Sequence, residues 1–299
     1  MAAARTMNTL RGRLSMHEPL AHHTSWRVGG PADHFYAPAD LEDLAQYLKQ
    51  LPPDEPLYWM GLGSNLLVRD GGVRGSVIML SGRLKALSLV NNHSVRAEAG
   101  VACAKLARFC IQHGLTGAEF LAGIPGTVGG ALAMNAGAFG GETWPIVTAV
   151  ETMDRHGAIR VRTPADFDIG YRSVQGPQGE WFVAGHFGLG ADAAGSGKAR
   201  IKSLLAQRGA TQPTQLPNAG SVFRNPPGDY AARLIEASDL KGVCEGQACV
   251  STLHANFIVN QGGATAAQIE CLIEKIRTRV FQVHGVQLIP EVRVIGEVQ

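Results

Sequence analysis

Apolar residues recur every three to four positions in several segments of the chain, and this spacing predicts amphipathic helices. The clearest helix begins at Thr265, which has capping-box spacing with Gln268, and ends at Gly285. Its apolar stripe consists of Ile269, Leu272, Ile273, Ile276 and Val280. Shorter helices are predicted over 41–51 after Asp40, over 102–113 before Gly114, from Ile201 to before Gly209, and from Asp229 as N-cap to Ser238.

Short apolar or alternating runs between these helices predict strands. The last strand follows Pro290 and places Glu291 and Arg293 on one face, with Val292 and Val294 on the other. A run of small residues over 191–199 indicates a boundary between two units. The other predicted strands cover 57–61, 76–80, 94–100, 147–153, 159–162, 181–189 and 254–260. The result is an α+β chain with a larger, glycine-rich unit followed by a smaller one.

The stretch from Ala122 to Gly141 contains seven glycines, no charged residue and one strongly polar side chain, Asn135. Glycine loses more conformational entropy on folding than other residues, so this density indicates backbone that approaches another group closely or adopts positive φ. A membrane span does not fit, because these glycines and Pro125 make a poor helix, and lipid admits only helices and closed barrels. We expect a loop system that grips an extended ligand.

The overall composition is that of an ordinary globular protein and narrows the possible partners. Hydrophobic residues make up 45% of the chain, the formal net charge is +2, and Lys and Arg are scattered. We therefore expect no nucleic-acid and no membrane partner, and no obligate protein partner is evident. No apolar signal-peptide segment follows the candidate starts Met1, Met7 and Met16, so the expected location is the cytoplasm.

The five cysteines form no CxxC pair, and their odd number argues against a closed disulfide framework. We expect reduced thiols. Cys103 and Cys110 lie seven residues apart in a predicted helix and therefore share one face. Buried packing suits such a pair better than metal ligation, and no metal site is predicted.

Two glycine-containing loops are candidates for binding phosphate. The run from Gly61 begins like a dinucleotide fingerprint, but its sixth position is Leu66 rather than glycine, and no P-loop sequence occurs. GLGSN (61–65) and IPGTVGG (124–130) nevertheless offer backbone N–H groups with small hydroxyl residues, which can cradle phosphate oxygens without cationic side chains. Two such loops could clamp one pyrophosphate. The alternative for GLGSN is a tight turn that only packs sheet against sheet.

Seven motifs, in order along nearly the whole chain, resemble those of the bacterial UDP-N-acetylenolpyruvoylglucosamine reductases. They are HTSWRVGGPAD, GLGSNLLV, AGIPGTVGGALAMNAGAFG, GYRS, NAGSVFRNP, HANFIVN and LIPEVRVIG. The resemblance implies an FAD-binding domain of the vanillyl-alcohol-oxidase type, followed by a smaller α+β substrate-binding domain. The implied division is an N-terminal extension over 1–22, the FAD-binding domain over 23–192 and the substrate domain over 193–299.

The same resemblance implies that FAD is held without a covalent bond, through backbone contacts to its pyrophosphate. Carried over residue by residue, these contacts fall on Gly61, Gly63, Ser64, Asn65, Gly123, Ile124, Pro125, Gly126, Thr127, Gly129, Gly130, Asn135, Gly137 and Ala138.

The resemblance further implies a reaction, the reduction of the enolpyruvyl ether of UDP-N-acetylglucosamine to UDP-N-acetylmuramate with NADPH as hydride source. Hydride addition to this ether requires a cation or acid facing the developing enolate and a proton donor to carbon. Arg172, in GYRS, matches the cationic position, where its planar fork suits a carboxylate. Ser221 matches the proton donor, and Glu291 completes the set. Taken alone, these residues would be an interface ion pair, a turn serine and a solvated carboxylate.

Arg208, Asn225 and, more weakly, Tyr171 are the candidates for substrate binding. Arg208 belongs to an R-x-x-x-Q-P sequence, and the short span from Arg172 to Ser221 indicates the family type without a tyrosine-bearing loop. Two alternatives stay open at this point. One is a flavin oxidase or dehydrogenase of the same superfamily, and the other is a nucleotide-binding module without catalysis.

Overall fold

The computed structural model describes residues 10–299; Met1 and Met7 lie outside the described residues. The strands are β1 (Arg13–Pro19), β2 (Pro31–Ala37), β3 (Leu57–Met60), β4 (Leu66–Val68), β5 (Val73–Met79), β6 (Leu87–Asn91), β7 (Ser94–Glu98), β8 (Leu115–Thr116), β9 (Gly137–Ala138), β10 (Gly141–Glu142), β11 (Val147–Asp154), β12 (Ile159–Arg162), β13 (Asp168–Gly170), β14 (Ser173–Gln175), β15 (Glu180–Gly188), β16 (Gly190–Ala191), β17 (Cys244–Glu245), β18 (Ala248–Val250), β19 (Ile258–Asn260) and β20 (Arg293–Ile295). The helices are α1 (Leu41–Gln50), α2 (Cys103–Gln112), α3 (Val128–Met134), α4 (Gly197–Thr211), α5 (Ala231–Glu236) and α6 (Ala266–His284).

A mixed sheet opens the first unit, with strand order β1-β2-β5-β3. β1 is antiparallel to β2, whereas β5 runs parallel to both β2 and β3. Helix α1 begins where predicted, because the Asp40 side chain accepts a hydrogen bond from the N–H of Asp43. Its apolar face buries Leu44, Tyr47 and Leu48 beneath this sheet. β1 lies within the predicted N-terminal extension, residues 1–22, and pairs with β2 of the first unit.

An antiparallel sheet of order β12-β11-β15-β7-β6 completes the first unit. Helices α2 and α3 pack on it around a core that includes Trp144 and Phe187. Cys103 and Cys110 are buried in this core, which confirms their predicted packing role. Burial raises the pKa of both thiols to about 12, so they stay protonated and unreactive at neutral pH.

The C-terminal unit consists of the three-stranded sheet β17-β18-β19 with α5 and α6. The predicted capping box holds at the start of α6, and Gly285 ends the helix in the left-handed conformation. Two contacts join this unit to the first one. Trp26 is fully buried in the C-terminal core and donates to the carbonyl of Ile258. Strand β20 pairs in parallel with β4, the strand that follows the GLGSN loop.

The helices near 201 and 230 differ from the prediction. α4 continues through Gly209 to Thr211, and Leu205 is 40% exposed on it, because only Ile201 of this helix enters the core. α5 begins at Ala231 rather than after Asp229, whose carboxylate accepts from the N–H of Tyr230 and pairs with Arg233. Because Ile201 packs in the core of the first unit, the contacts of α4 favour a boundary after it, and the division at residue 192 stays a prediction.

The expectation of reduced thiols is wrong for one pair, because Cys244 and Cys249 form a disulfide. Gly246, with φ of 54°, begins a two-residue turn that places these cysteines opposite each other on β17 and β18. Spacing alone did not indicate the hairpin. The strand predicted over 254–260 is also shorter, because only 258–260 pairs with β18.

Candidate active site

A cavity of about 750 Å³ opens between the first unit and the C-terminal unit. The first unit contributes loops 61–66 and 123–127, part of α3, and residues 136–139. The C-terminal unit contributes parts of 219–225 and 254–257 and the strand β20. A second cavity of about 240 Å³ adjoins it, and Trp59, Gly61, Thr127, Gly130, Ala133 and Arg293 line both.

Free backbone donors face each other across the two predicted phosphate loops. Within residues 10–299, the N–H groups of 62–65, Thr127 and Gly130 meet no protein acceptor. The neighbouring N–H groups of Val128 and Gly129 instead donate to the carbonyls of Val101 and Ala99, respectively. Unpaired donors in two facing loops are the arrangement that binds phosphate oxygens. These residues therefore fit the pyrophosphate of the expected FAD.

The glycines of these loops have two separate roles. A Cβ atom at Gly61 would overlap Thr127 Oγ1, and one at Gly63, where φ is 60°, would overlap the carbonyl of His23. These positions are glycine because the loops pack against their neighbours, as the alternative interpretation of GLGSN held. Gly126 and Gly130 differ, since a Cβ there would meet no atom closer than 3.6 and 3.8 Å. Both line the cavity, so a ligand explains these glycines better than packing does.

Most of the predicted cofactor residues line the larger cavity. Gly129 lines only the smaller one, and Asn135 lines neither. Asn135 is buried in the left-handed conformation after α3, where its amide donates to Glu142 and to the carbonyl of Gly170. Those that line the larger cavity are Gly61, Gly63, Ser64, Asn65, Gly123, Ile124, Pro125, Gly126, Thr127, Gly130, Gly137 and Ala138.

Arg172 lies at the tip of the β13–β14 hairpin, with φ of 53°, a conformation uncommon for a non-glycine residue. Its Nη1 and Nη2 donate to the carbonyls of Asn135 and Gly137, at 3.2 and 2.9 Å. Its Nε lies 3.3 Å from Glu291 Oε1. A guanidinium has five N–H donors, so this anchoring leaves donors for a ligand. Asn135 thereby positions Arg172 from outside the cavity.

Glu291 faces Arg172 from the C-terminal unit. Burial raises the pKa of its carboxyl, and the positive charges of Arg172 and Arg224 oppose that rise. Its N–H donates to the carbonyl of Val222 at 2.7 Å, and its own carbonyl accepts from Asn65 Nδ2 at 3.1 Å. Glu291 therefore joins the serine loop to the first phosphate loop, and its raised pKa favours the protonated form, which can act as an acid.

We expect Glu291→Gln to gain stability relative to the wild type as the pH rises from about 4.5 to 7.5. The folded-state pKa of Glu291 lies above its ordinary value of 4.5, so the native state binds more protons than the unfolded state in this range. The wild type therefore loses stability through this carboxyl as the pH rises, whereas glutamine does not titrate. Urea denaturation of the flavin-free protein at both pH values measures the difference. A difference that does not change with pH would contradict the raised pKa.

Ser221 is held at the cavity wall by a small network of hydrogen bonds. Gly220 has φ of 74°, and its N–H donates to Asn218 Oδ1. The buried Asn256 fixes the residues that follow, accepting from the N–H of Val222 through its carbonyl and exchanging two hydrogen bonds with the backbone of Phe223. Within the described chain the Ser221 hydroxyl has no hydrogen-bond partner, so it is available to a ligand.

The three predicted substrate-binding residues also line this cavity. Arg208 donates to Gln212, and burial lowers the pKa of its guanidinium, which favours an anionic ligand. Asn225 accepts from the N–H of Ala231 and caps α5, which leaves its NH₂ group for a ligand. Tyr171 is 47% exposed, with its ring 5.0 Å from the Arg172 guanidinium carbon.

Several residues that line the cavity were not predicted from the sequence. For Arg293 the sequence did contain an indication, because it shares a strand face with Glu291. His254 and Asn256 belong to the HANFIVN motif, and burial lowers the pKa of His254, which favours the neutral ring. Gln207 and Tyr230 carried no signal, since nothing in their spacing relates them to the motifs.

Gly130→Ala should stabilise the flavin-free protein and weaken FAD binding. The new methyl group meets no protein atom closer than 3.8 Å, and alanine in a helix is about 0.5–1 kcal/mol better than glycine. The same methyl group crowds the cavity. Overpacking of this kind costs ~1–3 kcal/mol, so FAD binding should weaken roughly tenfold to a hundredfold. Thermal unfolding and flavin titration measure both effects. Gly209→Ala on the exposed side of α4 is the matched control; equal FAD affinities in the two variants would contradict this assignment.

No helix within 10–299 is long and apolar enough to cross a membrane. No group of three or more His, Cys, Asp or Glu side chains in that range is arranged to hold a metal ion.

Comparison with known proteins identifies the class and then the family. Residues 32–162 match the family model described as FAD binding domain, so the chain is an FAD-binding flavoprotein. Residues 212–295 match the model of the C-terminal domain of UDP-N-acetylenolpyruvoylglucosamine reductase.

Full-length relatives give the same result. The reductase of Alkalilimnicola ehrlichii is 60% identical over 100% of this chain and 99% of its own, and that of Coxiella burnetii strain RSA 493 is 55% identical over 96% and 97%. The crystal structure of the Thermus caldophilus enzyme aligns with a TM-score of 0.81 at 32% identity, covering 95% of this chain and 99% of that one. The chain therefore belongs to the UDP-N-acetylenolpyruvoylglucosamine reductase family and is an FAD-dependent oxidoreductase. The predicted family, fold class and flavin are confirmed.

Proposed function

We propose that this protein reduces the enolpyruvyl ether of UDP-N-acetylglucosamine to UDP-N-acetylmuramate, with NADPH as hydride donor, in the bacterial cytoplasm. The reaction supplies a precursor of peptidoglycan. The observation that carries the proposal is that Arg172, Ser221 and Glu291 all line the cavity that also holds the two phosphate loops. In the balanced reaction the carbon–carbon double bond gains one hydride and one proton, and NADPH becomes NADP⁺.

When bound, FAD would supply hydride addition to the terminal carbon of the substrate with electrons from NADPH, and loops 61–65 and 124–130 would hold its pyrophosphate. The chain's own residues manage the charge that this addition creates. Arg172 pairs with the substrate carboxylate, and its fixed guanidinium stabilises negative charge as it moves toward that carboxylate. Its anchoring to two backbone carbonyls means that little reorganisation is needed.

Ser221 donates a proton to the carbon next to the carboxylate. A serine hydroxyl is a weak acid, so it needs nearby groups that stabilise the developing alkoxide or resupply the proton. Arg172 and the largely buried Glu291 provide positive charge and acid at the same cavity wall. Arg208 and Asn225 bind the diphosphate of the substrate, and the half-exposed Tyr171, which lines the cavity beside Arg172, contributes a further substrate contact.

Anaerobic stopped-flow spectroscopy of the purified yellow protein tests this proposal. NADPH alone should bleach the flavin absorbance, and the UDP-sugar enolpyruvate should restore it in a separate step. Steady NADPH oxidation should require that substrate. Rapid peroxide formation from another substrate would identify an oxidase instead, and binding without turnover would identify a non-catalytic module.

A further inference from the structure

Arg293 is a cation of the cavity that the proposed reaction leaves unused. It lies on β20, two residues after Glu291, and lines both cavities. Among the residues that line both, it alone carries a charge. Within residues 10–299 its guanidinium meets no hydrogen-bond acceptor and no carboxylate, although its backbone N–H is bonded to the carbonyl of Asn65. Its side chain is therefore free while its backbone is fixed beside the first phosphate loop.

The surroundings of Arg293 carry excess positive charge. Partial desolvation at the cavity wall and the neighbouring Arg224 both lower the pKa of Arg293, although its side chain is exposed. Arg224 has a buried Nε atom that is without a partner in the described residues. Glu291 offsets this charge only in part, because it interacts with Arg224 but is also paired with Arg172. Two close guanidinium groups with unused donors favour an anionic ligand.

The two cavities differ in the way the two ends of a dinucleotide differ. The smaller is lined by aromatic side chains, among them Trp59 and Trp181, stacked with ring centroids 5.2 Å apart. The larger holds the residues proposed for catalysis, which the flavin ring must approach. Where they adjoin lie Arg293 and the unpaired N–H groups of Thr127 and Gly130. In FAD the adenine and flavin ends are likewise joined by a pyrophosphate.

We propose that Arg293 binds the pyrophosphate of FAD where the two cavities adjoin, with the adenine in the smaller, aromatic one. The pyrophosphate site thus includes a cationic side chain from β20, in addition to the two uncharged loops, 61–65 and 124–130, that the sequence indicated. This inference rests on FAD binding and is independent of the substrate and of the proton donor, so it can fail while the proposed reaction holds.

Titration of the flavin-free, full-length protein with FAD, ADP and riboflavin tests the assignment, with tryptophan fluorescence as readout. ADP carries the adenine and pyrophosphate without the flavin ring, and riboflavin carries the ring without phosphate. Arg293→Gln should weaken FAD and ADP binding by similar factors, roughly tenfold to a hundredfold, as expected for lost hydrogen bonds to a charged group. Riboflavin binding should not change. Added salt should weaken ADP binding more in the wild type than in the variant.

Two further variants control for folding and for general charge effects. Arg293→Lys keeps the charge and should recover part of the ADP affinity, while Arg279→Gln on the exposed side of α6 should leave it unchanged. Equal ADP affinity in the wild type and Arg293→Gln would overturn the assignment. If the flavin reduction potential were shifted in that case, Arg293 would lie against the flavin ring instead. Equal losses of affinity for ADP and riboflavin would also overturn the assignment, since they would indicate a structural role.

Discussion

Ser221→Ala should abolish substrate reduction while NADPH still reduces the flavin at nearly the wild-type rate. The first half-reaction needs no proton donor to carbon, whereas the second does, and a positioned acid contributes about 10²–10⁴-fold to a rate. Stopped-flow measurement of each half-reaction separates the two. The hydroxyl makes no hydrogen bond within the described chain, so its removal should leave thermal stability and flavin content unchanged.

Ser203→Ala provides the matched control, because Ser203 is an exposed serine of α4 outside both cavities. It should leave both half-reactions unchanged. If Ser221→Ala slowed both half-reactions equally, the residue would act through the structure of the cavity rather than as the proton donor.

Arg172→Met should have the second large effect, a loss of about 10²–10³-fold in the rate of flavin reoxidation by substrate. This is the size expected when one preorganised electrostatic contact to a developing oxyanion is removed. The variant should also bind the substrate more weakly, since its carboxylate loses a charge-assisted partner. Flavin reduction by NADPH and the flavin content of the purified protein should change little. Single-turnover kinetics across a range of substrate concentrations measures the rate and the affinity separately.

The pH dependence of Arg172→Met distinguishes catalysis from a purely structural ion pair. Arg172 holds the pKa of Glu291 down, so its removal should shift the alkaline limb of the second half-reaction, where Glu291 loses its proton, to higher pH. Arg172→Lys, which keeps the charge but loses the planar fork, should retain the wild-type pH profile with a reduced rate. If both variants only lowered thermal stability at unchanged rate, Arg172 would be an interface ion pair.

Local sequence signals predicted the elements whose ends are fixed by their own residues. α1 and α6 begin at side-chain caps that the sequence displays, Asp40 and Thr265, and both lie within one or two residues of the prediction. The predicted bounds of α4 and α5 were less accurate, because the packing of Ile201 and the hydrogen bond of Asp229 to its neighbour determine where these helices lie. The disulfide was missed because it depends on a turn that brings Cys244 opposite Cys249.

The candidate site was predicted mainly through the family resemblance. Periodicity and glycine density indicated two loops around an extended ligand, but could not name the ligand or relate 61–65 to residues more than 200 positions later. Arg293 shows the limit of residue-level reasoning, because its role depends on the pairing of β20 with β4. The alternation of the last strand was visible, but its partner strand was not.

The pairing of β20 with β4 also bears on when this protein can load its flavin during synthesis. Glu291 and Arg293 follow the first phosphate loop, 61–65, by more than 200 residues, and the N–H of Arg293 donates to the carbonyl of Asn65 in that loop. Domains generally fold from the N-terminus as the chain emerges from the ribosome, so the first unit can form while β20 is still being made. The complete pyrophosphate site cannot form until β20 has been made and has paired with β4, so stable flavin capture follows the folding of the first unit.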